Sequence, residues 1–193
     1  MSPTNALSPG GAERVVALAG NPNVGKSTVF NELTGFNQHT GNWPGKTVTG
    51  ARGRCKSGGH EFVLVDLPGT YSLLAHSAEE EVARDFICFG GADATVVVCD
   101  ATCLERSLNL ALQTLEITSK TVICVNLMDE ARKKKITIDF EQLSRELGVA
   151  VVKTSARSGN GLGLLLEEID KVVGGAPSPA ALRIPYPAPI ERA

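Results

Sequence analysis

One run of residues, Gly20-Asn21-Pro22-Asn23-Val24-Gly25-Lys26-Ser27, constrains this chain more than any other feature. It fits the pattern G-x-x-x-x-G-K-[ST], with the apolar run Val15-Val16-Ala17-Leu18 before it and an amphipathic stretch after it. A strand that turns into a helix through such a loop aims backbone N–H groups and a helix N-terminus at one point, and a phosphate group fills that point. In this pattern Lys26 reaches the β and γ oxygens of a nucleotide and the Ser27 hydroxyl ligates Mg2+, with Thr28 beside it.

The rest of the chain agrees with a strand-loop-helix unit of this kind. The apolar runs Phe62-Val63-Leu64-Val65, Thr95-Val96-Val97-Val98 and Thr121-Val122-Ile123-Cys124-Val125 alternate with helix-length amphipathic stretches. Continuous apolar strands imply burial on both faces, as in a parallel sheet covered by helices. Leu104, Leu108, Ala111, Leu112 and Leu115 form one helical face, and Asp139 is placed to cap a helix that stops at Gly148. Residues 48–55 and the strand at Phe62 read as an antiparallel hairpin joined through Ser57-Gly58-Gly59. The predicted fold is α/β, a P-loop NTPase of the Ras-like G-domain kind, with a mostly parallel six-stranded sheet and helices on both faces. With 193 residues one core is expected: a disordered leader over 1–13, the G domain over 14–173, and a Pro-rich linker over 174–193.

Composition removes several classes. Nineteen basic and 21 acidic residues give a net charge of -2, so no field of one sign invites nucleic acid, and Arg132-Lys133-Lys134-Lys135 reads as a solvated loop. The five cysteines lack C-x-x-C spacing, and Cys99 and Cys124 lie inside apolar runs, which fits buried free thiols in a reducing compartment. His39, His60 and His76 are too scattered to argue for an iron site. No targeting segment or membrane-length apolar stretch is present in the sequence, so this piece is expected neither to cross nor to enter a membrane.

Three further segments end apolar runs. Asp66-Leu67-Pro68-Gly69 is a D-x-x-G segment, suited to hold Mg2+ through its outer shell and to sense a γ-phosphate. Asn126-Leu127-Met128-Asp129 and Ser155-Ala156-Arg157 resemble the N-K-x-D and S-A-x base-reading segments of GTPases. In that resemblance Asp129 accepts two hydrogen bonds from guanine N1–H and the 2-amino group, a donor pair that adenine lacks. Asn126 braces the loop, the Ala156 N–H meets guanine O6, and Leu127 replaces the lysine whose stem covers the base.

Residues 35–48 contain Gly41-Asn42-Trp43-Pro44-Gly45-Lys46-Thr47-Val48. Together with Gly20-Asn21-Pro22-Asn23, Asp66-Leu67-Pro68-Gly69-Thr70-Tyr71-Ser72 and Asp100-Ala101-Thr102-Cys103-Leu104-Glu105-Arg106, this run resembles the ferrous iron transport protein B (FeoB) family over residues 15–173. The resemblance implies a GTP-binding and GTP-hydrolysing domain, binding GTP and GDP, that powers or gates Fe2+ uptake at the cytoplasmic face of a bacterial inner membrane. It also implies helical and transmembrane domains in the same full-length protein, and small cytoplasmic Feo proteins as partners. Gly45, Lys46, Thr47 and Val48 would face the nucleotide, with Thr47 closing over Mg2+ alongside Ser27 and Asp66. Thr70 stands where Ras-like enzymes carry a water-orienting Gln, and Asn23 matches the asparagine by which certain GTPases hold K+. The catalytic set implied is Asn23, Lys26, Thr47 and Gly69. This chain departs from the family in Thr49, where an acid is usual, and in Lys46. Trp43 stays open between packing and function. Two other readings also stay open: a K+-activated GTPase of ribosome assembly or tRNA modification, and a nucleotide sensor whose hydrolysis is incidental.

Overall fold

The computed structural model describes residues 13–36, 38–43, 46–58, 60–74, 76–175 and 182. Strand β1 (Arg14–Gly20) is followed by α1 (Lys26–Thr34), β2 (Gln38–Asn42), β3 (Thr49–Ser57), β4 (His60–Asp66) and α2 (Ala78–Phe89). Then come β5 (Ala94–Asp100), α3 (Leu104–Ile117), β6 (Thr121–Asn126), α4 (Met128–Lys133), α5 (Phe140–Leu147), β7 (Val151–Lys153) and α6 (Leu162–Val173). They build one sheet in the order β2-β3-β4-β1-β5-β6-β7, parallel from β4 to β7, with β2 and β3 antiparallel at one edge.

The parallel strands are apolar throughout because both faces are covered. Val97, Cys99, Ile123 and Val125 pack toward α2, α3 and α5, while Val16, Leu18, Val96, Val98, Val122 and Cys124 pack toward α1 and α6. Alternate side chains of one strand therefore enter two separate cores. Burial pushes the Cys55 and Cys124 thiols up to about 12 and raises Cys99 as well, which keeps all three protonated. The Asp139 side chain accepts from the Gln142 N–H at 2.9 Å and caps α5, and Gly148 ends that helix at φ 65°.

The sheet has seven strands, not the expected six. The addition is β2, whose Gln-His-Thr-Gly-Asn sequence carries no apolar alternation and whose identity comes from its register against β3, Gln38 opposite Gly53 and Asn42 opposite Thr49. The β3–β4 hairpin is present, with Ser57 opposite His60; Gly59 of its turn lies outside the described residues. So do residues 1–12 of the expected leader and, apart from Gly174, Gly175 and Leu182, the expected linker over 174–193.

Candidate nucleotide-binding site

The site lies at the carboxyl ends of β1, β4, β5 and β6, where parallel strands deliver their loops to one rim of the sheet. The loop of residues 21–25 joins β1 to α1 through two left-handed residues, Asn23 (φ 66°) and Gly25 (φ 80°). A Cβ on Gly25 would stand 2.5 Å from Asn126 Nδ2, so close approach as well as φ requires glycine there. Lys26, buried at the start of α1, forms an ion pair with Asp66 at the end of β4. Burial raises the Asp66 carboxyl above its usual range, and the Lys26 charge partly offsets this. Ser27 and Asn23 are exposed, with Thr28 half-buried beside them.

The D-L-P-G segment is packed against this loop. Leu67 donates its N–H to Leu18 O at 3.0 Å, and Thr70 donates its N–H to Gly20 O at 3.1 Å. A Cβ added at Gly69 would lie 3.4 Å from Pro22 Cα, so Gly69 faces the Pro22 backbone of the phosphate loop with little more than the space of a methyl group between them. Thr70 is buried, and its hydroxyl donates to Ser72 O at 2.7 Å.

Asn126 unites the base-side segments. Its amide donates to Val24 O at 3.1 Å, and its Oδ1 accepts from the Thr154 hydroxyl at 3.1 Å and from the Ala156 N–H at 3.0 Å. One buried side chain thus ties the phosphate loop to the Ser155-Ala156-Arg157 segment. This bears on Ala156, whose N–H was expected to meet a base: it is taken by Asn126 Oδ1, a buried acceptor that needs its donors. The Asp129 N–H donates to Ser155 Oγ of the same segment at 3.1 Å, which leaves the half-buried carboxylate on α4 beside that loop. Leu127 adopts φ 64°, and its side chain approaches Gly25.

Thr47 is exposed and Val48 buried, whereas Gly45 lies outside the described residues, as does Pro44. Lys46 reaches Glu81 of α2 at 2.5 Å, so this cation has a protein partner. Trp43 is buried in the core, edge-on to Phe86 of α2 with ring centroids 5.3 Å apart, and it lies against Gly50. Sequence reasoning missed Gln113 and Thr154, single polar residues in no motif, which the fold brings to the loops.

A family model described as ferrous iron transport protein B matches residues 14–169. The chain belongs to the ferrous iron transport protein B family. Within that family, the Fe(2+) transporter FeoB of Salmonella typhimurium is 42% identical over 160 residues, covering 81% of this chain and 21% of that transporter. The chain therefore spans about a fifth of the length of the curated FeoB it matches. The G domain of the T. maritima FeoB iron transporter is 44% identical with a TM-score of 0.78, over 83% of this chain and 98% of that one. The cytosolic domain of the same transporter, in a GDP form and a GMPPNP form, gives TM-scores of 0.87 and 0.85 at 40% identity, over 93% of this chain and 71% and 70% of those. The α/β fold with its mostly parallel sheet is that of the FeoB G domain. Among the described residues no helix is long and apolar enough to cross a membrane.

Proposed function

We propose that this chain binds GTP and hydrolyses it to GDP and phosphate, and that the cycle powers or gates Fe2+ uptake by a larger membrane transporter. The observation that carries the reading is Asn126, whose three hydrogen bonds hold the phosphate loop and the base-side segments in one rigid arrangement. Such an arrangement suits a ligand with phosphates at one end and a purine at the other. The GDP and GMPPNP forms of the T. maritima relative support it.

In this reading the backbone of Gly20, Asn21, Pro22, Asn23, Val24 and Gly25 wraps the phosphates, and Lys26 exchanges part of its Asp66 contact for β and γ oxygens. Asp129 accepts from guanine N1–H and the 2-amino group, with Leu127 and Met128 on its flank. Because the Ala156 N–H is engaged, guanine O6 passes to the next donor, the Arg157 N–H. The Gly69 N–H, facing Pro22 across the loop, meets the γ-phosphate, and Thr47 closes from the 43–48 segment.

Ser27, Thr47 and Asp66 offer hydroxyl and carboxylate oxygens, the donor set that Mg2+ takes, and Mg2+ would neutralise phosphate charge there. Asn23, exposed with a left-handed backbone, offers an amide oxygen to K+, which would supply positive charge near the β–γ bridge. Residues 174–193 would lead toward helical and membrane-spanning parts of the full-length protein, placing this domain at the cytoplasmic face of the inner membrane, where small Feo proteins could reach it.

The test is phosphate release by the purified chain with GTP and with ATP in Mg2+ and KCl. Turnover of GTP without turnover of ATP is expected; equal use of both would overturn the reading.

A further inference from the structure

The segment after Gly69 is held from two sides, and one side lies outside every recognised motif. On the loop side, Thr70 binds Gly20 O through its N–H. Within the segment, the Thr70 hydroxyl donates to Ser72 O at 2.7 Å and accepts from the Ser72 N–H at 3.2 Å, which locks the turn. On the helix side stands Gln113, two turns along α3 from Arg106 and on the same face. Its Oε1 accepts from the Leu73 N–H at 2.7 Å and from the Ser72 hydroxyl at 3.2 Å. Arg106 lies over the Tyr71 ring, 4.3 Å from its centroid, and its carbonyl faces Asn21 Nδ2 at 3.5 Å. Leu73 is buried, so its N–H has no water to fall back on if Gln113 is lost.

Thr70, Ser72 and Leu73 therefore form a short, fully bonded bridge between the phosphate loop and α3. Gly69 sits at its loop end, against Pro22. A γ-phosphate-sensing N–H is useful only if its position is held to within a few tenths of an ångström, and the bridge supplies that restraint.

We infer that Gln113 is a positioning residue for hydrolysis: by gripping Ser72 and Leu73 it fixes where Gly69 and Thr70 stand against the phosphate loop. It touches neither base nor phosphate, so it acts on turnover and not on nucleotide affinity. The inference rests on the GTP-hydrolysing reading above.

The experiment compares the whole chain with its Gln113→Leu and Gln113→Glu variants for kcat and KM with GTP, and for hydrogen exchange at the Leu73 amide. Gln113→Leu removes the acceptor and should lower kcat about tenfold while KM stays within about twofold. Its Leu73 amide should exchange about tenfold faster. Gln113→Glu keeps an acceptor oxygen and should hold kcat within about threefold of the parent, with Leu73 protected. Unchanged kcat in Gln113→Leu, unchanged Leu73 exchange, or equal losses in both variants would overturn the inference while leaving GTP hydrolysis in place. A parent chain that does not turn over GTP would remove the GTPase reading, and this inference with it. Gln113→Ala, which also lacks the acceptor, replaces Gln113→Leu if that variant does not fold.

Discussion

The Lys26 ammonium meets the Asp66 carboxylate directly, joining the first residue of α1 to the last residue of β4. The residue read as a phosphate ligand therefore also neutralises a half-buried acid. Despite that partner, the Asp66 carboxyl titrates above its ordinary value, with burial the larger cause. A raised carboxyl pKa means that the folded chain binds the proton more tightly than the unfolded one. The stability from this group is fully present below the ordinary carboxyl value of 3.8 and is lost as pH rises through the folded value.

Two outcomes follow from this pair. Lys26→Met should cost roughly 2 kcal/mol of stability at neutral pH, because it leaves the half-buried Asp66 carboxylate without its cation. Adding Asp66→Asn to it should restore most of that loss. Asp66→Asn alone should gain stability relative to the parent as pH is raised from about 4 to about 7. Urea unfolding of the four proteins at both pH values checks this, and a Lys26→Met chain as stable as the parent would contradict a stabilising Lys26–Asp66 pair.

Hydrolysis is expected to depend on K+. Thr70 is buried with its hydroxyl committed to Ser72 O, so it offers nothing to orient an attacking water. Asn23 is the exposed amide on the phosphate loop. Asn23→Ala should lower kcat by about tenfold or more with GTP affinity nearly unchanged, and replacing K+ by Na+ should have the same effect without adding to it. Steady-state rates of both proteins in KCl and NaCl at matched ionic strength decide the matter. Equal parent rates in the two salts would exclude the K+ mechanism.

The sequence shows where β1, β4, β5 and β6 lie through their continuous apolar runs, where α1 lies through the glycine loop that precedes it, and where α3 and α5 lie through a helical apolar face and through the Asp139 cap and Gly148 stop, respectively. It does not reveal β2, a polar edge strand whose register is decided by β3 and not by its own residues. The same division runs through the site. Gly25, Lys26, Asp66 and Asn126 are legible because phosphate and base chemistry demands those residue types at those spacings. The pairing of Lys46 with Glu81, the burial of Trp43 against Phe86, and the capture of the Ala156 N–H by Asn126 depend on distances that only the folded chain sets. Gln113 is the clearest such case, since a lone glutamine on an amphipathic helix has the signature of an ordinary solvated face.

The central claim, that this rim of the sheet reads guanine, rests on the carboxylate of Asp129. Replacing it by asparagine exchanges an acceptor for a donor at the base edge, which suits xanthine, whose 2-position bears an oxygen. The direct measurement is a competition titration of GTP against xanthosine triphosphate on the parent chain and on Asp129→Asn. The account predicts that Asp129→Asn loses GTP affinity by about 100-fold, near 3 kcal/mol, and gains xanthosine triphosphate affinity. An unchanged preference for GTP in Asp129→Asn would contradict it.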